Sequence, residues 1–266
     1  MIAGVTYEEA KILLGTLAMT QPRILALSMM LPIFNRSLLP GMLRYAVAAA
    51  MGLILVPALA VDYARWGGGT LDIILILTKE AFVGLVMGYI IALPFWIFEA
   101  AGFIIDNQRG ASLGATLNPG TGNDSSPMGI LFNQAFIVFF LTSGGFFLMM
   151  TMIVTSFQVW SIWNWWPTLH ASSIPLFLDL LDKFLRMTLL YAAPAVIAMF
   201  LAEIGLALVS RFAPQLQVFF LAMPIKSALA LLVLVLYTKV LFGFAWESVA
   251  EVSETLPFLQ REWLPQ

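Results

Sequence analysis

The chain has 266 residues, of which 61% are hydrophobic and only 11% charged, and its mean hydropathy is +0.93. This composition excludes an ordinary water-soluble globular domain and is typical of an integral membrane protein with about five to seven spans of roughly 20 residues each. A net charge of −2 without any basic run argues against a nucleic-acid partner, and the absence of cysteine excludes disulfides, thiolate metal sites and a cysteine nucleophile.

The N-terminal region is acidic where a signal peptide would be basic. Glu8 and Glu9 precede the first apolar segment, about residues 12–34, and no small-residue cleavage site follows it, so we expect this segment to be retained. Pro22 and Arg23 lie inside the segment. Because proline interrupts a helix and a charge is costly in lipid, this pattern predicts a kinked helix whose charge faces protein or an interface.

Two more apolar segments follow. The second, about residues 45–61, is nearly uninterrupted and just long enough to span a membrane. The third, about residues 73–98, carries Lys79 and Glu80 near its start and Pro94 near its end. We therefore expect a long, tilted or bent helix that does not face lipid on all sides.

The stretch from Phe98 to Gly129 is the one long polar and glycine-rich passage between apolar segments. In hydrocarbon its backbone groups and charges would be unsatisfied, so it must face water, a protein-lined cavity or a pore. An ordinary solvent loop is the alternative, but it explains less well why Asp106 and Arg109 lie three residues apart, where they can pair on one helical face. The residues that we single out as a central re-entrant polar loop are Asp106, Asn107, Gln108, Arg109, Gly110, Asn118, Pro119, Gly120, Gly122, Asn123, Asp124, Ser125 and Ser126.

The C-terminal half supplies the remaining helices. The fourth apolar segment, about residues 130–154, contains Gly144 and Gly145 as a predicted weak point, and a tryptophan-rich stretch with His170 follows, as expected at the level of lipid headgroups. The fifth and sixth segments, about residues 184–209 and 218–244, complete an all-α membrane protein with about six long, partly kinked helices. An acidic tail ends the sequence.

Ionisable residues within apolar surroundings are the next candidates for function. Such groups are usually paired, face a cavity or lie on a conduction path, although helix–helix ties and snorkelling side chains explain them equally well. Arg23, Lys79 and Glu80 belong to this class in the N-terminal half. The other membrane-embedded charges that we single out are Glu99, Glu203, Arg211 and Lys226.

The distribution of basic residues gives an expected orientation. The linkers after the first and fifth segments are basic without acids, whereas the linker after the second segment and the tail are net acidic. Because basic loops stay on the cytoplasmic side, this pattern predicts six crossings with both termini outside the cytoplasm.

The sequence lacks the residues that several kinds of enzymatic chemistry require. Gly67 to Thr70 has no lysine, so the chain has no phosphate-binding loop for ATP, and one histidine provides neither a metal cluster nor a credible triad. We expect no enzymatic activity and no cofactor.

Three separated motifs identify a family resemblance. They are PFWIFEAAGFIIDNQRGAS at Pro94–Ser112, LNPGTGNDSSPMG at Leu117–Gly129 and AEIGLALVSRFAPQLQVFFLAMPIKSA at Ala202–Ala228. In this order they resemble the T-type inner-membrane component of the bacterial type III secretion export apparatus, the family that includes flagellar FliR. The DNQRG run at Asp106–Gly110 is more similar to the virulence, or injectisome, branch than to the flagellar one.

The resemblance implies a subunit of an export gate in the bacterial inner membrane. Its expected partners are the R-type and S-type gate subunits in a hetero-oligomer, the U-type switch subunit and larger export apparatus, membrane lipid, and unfolded secreted polypeptides in transit. Family members carry a loop that plugs the pore, and the matching positions are roughly Asp106 to Ser126. The implied organisation is a single membrane domain over residues 1–266, with N-terminal helices over about 7–98, a plug-like loop over about 106–126, C-terminal helices over about 130–244 and a tail over 247–266.

Two other functions remain open on the residues alone. In a secondary transporter, Glu99, Glu203 and Lys226 would bind a coupling ion and solute at broken helices. An intramembrane enzyme is the third possibility, and no constellation of residues stands out for it.

Overall fold

A computed structural model of the protein describes residues 6–35, 38–110, 126–163, 174–213 and 218–263, without the side chains of residues 218–219 and 252–263. Its regular elements are helices, as the sequence predicts. A single 3-10 turn, Pro32–Phe34, follows the first of them. The α-helices are α1 (Tyr7–Met30), α2 (Gly41–Arg65), α3 (Thr70–Arg109), α4 (Pro127–Thr142), α5 (Gly145–Val159), α6 (Ile174–Phe212) and α7 (Val218–Trp263).

Five of these helices, α1, α2, α3, α6 and α7, are long and apolar enough to cross a membrane. The consecutive helices α4 and α5 pass the same test as a pair but are bent by 75° at their junction. The described part of the chain therefore contains five membrane-spanning candidates, or six if the bent pair is one span. This confirms an all-α, multi-pass membrane protein with long, partly interrupted helices.

The break between α4 and α5 lies at the glycine pair that the sequence marks as a weak point. Gly144 has a φ of 86°, in the left-handed region that glycine enters without steric cost. Ser143 ends α4, and Gly144 is the N-cap of α5. The chain consequently changes direction at Gly144 without leaving the helical fold.

Two helices extend further than their apolar segments predict. Helix α3 does not end near Phe98 but continues to Arg109, so the first four residues of the predicted loop, from Asp106 onward, are helical. Helix α7 continues past Phe244 through most of the acidic tail to Trp263. In both cases a helix tolerates the polar residues because its backbone hydrogen bonds are satisfied internally, whatever the side chains are.

The described residues fall into two compact units, each with its own core. The first unit comprises Met1–Ala92, Gly144–Leu176 and Glu251–Gln266. Within it, α1 packs against α2 and the first part of α3, and Ile24, Leu27 and Met87 are at most 1% exposed. Gly84 allows α3 to approach α1 closely, because a Cβ there would collide with the backbone carbonyl of Arg23.

The second unit comprises Leu93–Ser143 and Phe177–Ala250, and aromatic rings form its core. Phe98 stacks on Phe136 with ring centroids 4.6 Å apart, and Phe95 meets Phe136 edge to face at 4.7 Å. The ring of Tyr191 on α6 also packs against Phe98, with ring centroids 5.2 Å apart. The Tyr191 hydroxyl lies 3.0 Å from Ser248 Oγ of α7. These contacts fix the end of α3 against α4 and α6.

Candidate functional site

The end of α3 is joined to the start of α4 through one buried carboxylate. Asp106, which is 3% exposed, accepts a hydrogen bond from Ser126 Oγ at 2.6 Å and another from the backbone N–H of Met128 at 2.9 Å. Ser126 is the N-cap of α4 and accepts from the N–H of Gly129 at 2.9 Å. A carboxylate at this position also faces the partial positive charge of a helix N-terminus. We call Asp106, Arg109, Ser126, Met128 and Gly129 the α3–α4 clasp.

Arg109 balances the charge of Asp106. Its Nε lies 2.7 Å from Asp106 Oδ1, an ion pair one helical turn along α3, and the Arg109 side chain is 18% exposed. This confirms the pairing that the spacing of the two residues predicts. Helix α3 ends at Arg109 and is followed by Gly110, which has a φ of 87° and donates its N–H to the carbonyl of Asn107. A left-handed glycine directly after the last turn is a common helix terminator.

The backbones of α3 and α4 approach closely one turn before the carboxylate. A Cβ on Gly102 would lie only 2.6 Å from the backbone nitrogen of Gly129, and a Cβ on Gly129 would lie 3.1 Å from the carbonyl oxygen of Glu99. Both glycines are buried. The clasp therefore lies beside a helix contact at which a Cβ on Gly102 would collide with the backbone of α4 and a Cβ on Gly129 would be tightly packed.

The other predicted charges also find partners near the end of α3. Glu99 accepts a hydrogen bond from Asn133 Nδ2 at 2.7 Å. Lys226 Nζ lies 3.3 Å from Glu203 Oε2, and Gln108 Nε2 lies 3.4 Å from the same oxygen. Arg211 is exposed on the last turn of α6. Of the four membrane-embedded charges predicted in this half, the structure thus gives polar contacts to Glu99, Glu203 and Lys226.

Part of the predicted loop lies outside the described residues. Asn107 is exposed on the last turn of α3. The positions for which the structure makes no statement are Asn118, Pro119, Gly120, Gly122, Asn123, Asp124 and Ser125.

The first unit contains a separate group, which we call the buried charge cluster and define as Arg23, Lys79, Glu80 and Ser156. Arg23 donates from Nε and Nη2 to the two oxygens of Glu80 at 2.7 and 3.0 Å, and from Nη1 to Ser156 Oγ at 3.1 Å. Its guanidinium also lies 4.0 Å from the ring centroid of Phe157. The side chains of Arg23 and Glu80 are at most 1% exposed.

Backbone carbonyls just after α5 complete this cluster. Arg23 Nη2 donates to the carbonyl of Trp160 at 2.8 Å, and Lys79 Nζ donates to those of Ser161 and Ile162 at 3.0 and 2.8 Å. Lys79 Nζ also lies 3.0 Å from Glu80 Oε1. Two cations thus share one carboxylate and the carbonyls at a helix C-terminus, where the helix dipole favours positive charge.

Sequence reasoning missed several partners in both groups. Asn133 and Ser156 are uncharged polar residues within largely apolar helices, and their polarity at those positions was the available signal. Ser126 was recognised as polar but not as a helix cap, although Pro127 after a serine is a helix-start signature. The carbonyls after α5 carry no side-chain signal.

The chemistry available at these sites is electrostatic and conformational. Among the described residues, no group of three or more histidine, cysteine, aspartate or glutamate side chains could hold a metal ion. The carboxylates of the clasp and the buried charge cluster are occupied by hydrogen-bond donors within their own units. Such groups hold chain segments in place.

Comparison with known proteins gives consistent matches over most of the chain. Residues 14–252 match the family described as bacterial export proteins, family 1. The chain is 38% identical over 246 residues to the Yop proteins translocation protein T of Yersinia pestis, covering 92% of this chain and 94% of that protein. It is 33% identical to the surface presentation of antigens protein SpaR of Salmonella typhimurium, covering 87% and 86%. It is 28% identical to the flagellar biosynthetic protein FliR of Bacillus subtilis, covering 83% and 85%.

Proposed function

The chain belongs to family 1 of the bacterial export proteins and is a component of a type III secretion export apparatus, and we propose that it helps to form and to close the channel through which unfolded proteins are exported. The membrane is the bacterial inner membrane. The role is structural, without catalysis and without a cofactor.

The proposed assembly contains several different subunits. The R-type and S-type gate subunits surround the channel together with this chain, and the U-type switch subunit joins them. The higher identity to a Yop translocation protein and to SpaR than to FliR supports an injectisome over a flagellum.

The α3–α4 clasp is the observation that carries the proposed closing role. The last turn of α3 and the first turn of α4 lie side by side, since Asp106 accepts hydrogen bonds from Ser126 and Met128. The polar segment between the two helices therefore begins and ends at the same place. A polar segment within apolar surroundings is tolerated where protein encloses a hydrated lumen. We assign the closing of that lumen to the residues from Asp106 to Ser126.

Deletion of Asn118–Asp124 tests this assignment. The assembled gate complex, reconstituted in a planar bilayer, is expected to conduct ions at rest when it contains the deletion and to stay closed when it contains the full chain. Copurification of the other gate subunits with each tagged variant shows that assembly is intact. An assembled deletion variant with unchanged resting conductance would refute the closing role.

The alternative of a secondary transporter is not favoured. The named relatives are a translocation protein, a surface presentation of antigens protein and a flagellar biosynthetic protein. In addition, Glu203 is in contact with Lys226, and Glu99 accepts from Asn133, so both carboxylates already have polar partners within the chain.

A further inference from the structure

The N-terminus of α4 is capped twice, once from its own sequence and once from α3. Pro127 occupies the first helical position and has no N–H, so Met128 and Gly129 supply the first backbone donors. Ser126 satisfies Gly129, as an ordinary N-cap does, and Asp106 satisfies Met128. Because the first turn of α4 has a local cap, a buried carboxylate from another helix is not needed to start the helix.

The placement of Asp106 fits a role in joining the two helices. It lies one turn after Gly102, where the backbones of α3 and α4 approach closely, so the carboxylate ties the two helix ends together beside that contact. Its own charge is offset by Arg109 rather than by solvent. Charge-assisted hydrogen bonds of this kind are about twice as strong as neutral ones.

We infer that Asp106 is a positioning residue. It holds the last turn of α3 to the first turn of α4 both when the channel is closed at rest and during export. This inference rests on the proposed function, because it concerns the base of the segment to which that function assigns closure. It adds that the clasp stays formed while substrate passes, so that α3 and α4 do not separate.

Cysteine substitution provides the test, because the chain has no cysteine of its own. The variants are Asp106→Ala, Ser126→Ala, the single variants Asp106→Cys and Ser126→Cys, and the double cysteine variant, each in the assembled gate complex. Asp179→Ala, an exposed acid on α6, and Ser143→Ala, at the other end of α4, are the matched controls. Resting ion conductance and export of a secreted protein are measured for each variant.

Asp106→Ala is expected to raise the resting conductance about tenfold or more, the factor that corresponds to the loss of one hydrogen bond to a charged group. Ser126→Ala and both single cysteine variants should raise it in the same direction, and the two controls should leave it unchanged. Oxidation of the double cysteine variant should restore a low conductance and still allow export. Reduction should raise the conductance again, which a merely structural defect would not do.

Two results would overturn the inference. One is an assembled Asp106→Ala complex with the resting conductance of the unsubstituted chain. The other is an oxidised double cysteine complex that no longer exports, since the clasp would then have to open. If Asp106→Ala does not assemble, the oxidised double variant decides the question on its own.

The deletion of Asn118–Asp124 separates this inference from the proposed function. If the deletion does not leak, the closing role fails. If the deletion leaks while Asp106→Ala stays closed, only the positioning role of Asp106 fails.

Discussion

Arg23 of α1 and Glu80 of α3 form a two-pronged ion pair in the interior of the first unit. Two guanidinium nitrogens reach the two carboxylate oxygens at 2.7 and 3.0 Å, and neither side chain is more than 1% exposed. Lys79 brings a second cation to the same carboxylate at 3.0 Å. Glu80 is therefore the anion that two buried cations share, and Ser156 Oγ and the carbonyls after α5 accept further hydrogen bonds from these cations.

Glu80→Ala is expected to destabilise the chain strongly. Removing one partner of a buried ion pair leaves an uncompensated charge and typically costs about 3–5 kcal/mol. The melting temperature of the purified chain in detergent provides the measurement. Glu8→Ala is the matched control, because Glu8 pairs with Lys11 on an exposed surface, where such pairs contribute only about 0–1 kcal/mol. Equal melting temperatures for the two variants would contradict a large stabilising contribution from the Glu80 carboxylate.

Gly84→Ala tests how closely α1 and α3 approach beside this cluster. The added Cβ would collide with the backbone carbonyl of Arg23, which cannot rotate away as a side chain could. Overpacking of this kind costs about 1–3 kcal/mol, so the melting temperature should fall. Gly205→Ala on α6 is the control, because a Cβ there meets nothing within 4 Å and alanine favours the helix by about 1 kcal/mol. A Gly84→Ala variant as stable as Gly205→Ala would show that the helices can move apart without cost.

The sequence was sufficient to predict the local features of this fold. Hydrophobic length predicts the spanning helices, the three-residue spacing predicts the contact of Asp106 with Arg109, and the glycine pair predicts the break at Gly144. Each of these features depends on residues within one continuous segment of the chain. A local pattern is enough to specify them.

The partners of the charges could not be predicted in the same way. Arg23 and Glu80 lie 57 residues apart, and Glu99 and Asn133 lie 34 apart, so helix packing rather than spacing brings each pair together. Hydropathy alone also bounds the third apolar segment near Phe98, whereas helix α3 continues to Arg109. Hydropathy indicates which residues can be surrounded by lipid. It does not indicate where the backbone hydrogen bonds of a helix end.

Glu203 and Lys226 form an uneven pair in the second unit, and substitution of the two residues should have unequal effects. The side chain of Glu203 is 50% exposed, whereas that of Lys226 is only 11% exposed. Glu203→Ala leaves the more buried cation without its carboxylate. Lys226→Met leaves a carboxylate that solvent and Gln108 still reach. Glu203→Ala should therefore lower the melting temperature in detergent more than Lys226→Met does. The exchanged variant, Glu203→Lys with Lys226→Glu, should recover part of that loss, because charges in contact are coupled. If the melting temperature of the exchanged variant falls by as much as the two single substitutions lower it together, the 3.3 Å contact between these residues does not stabilise the chain.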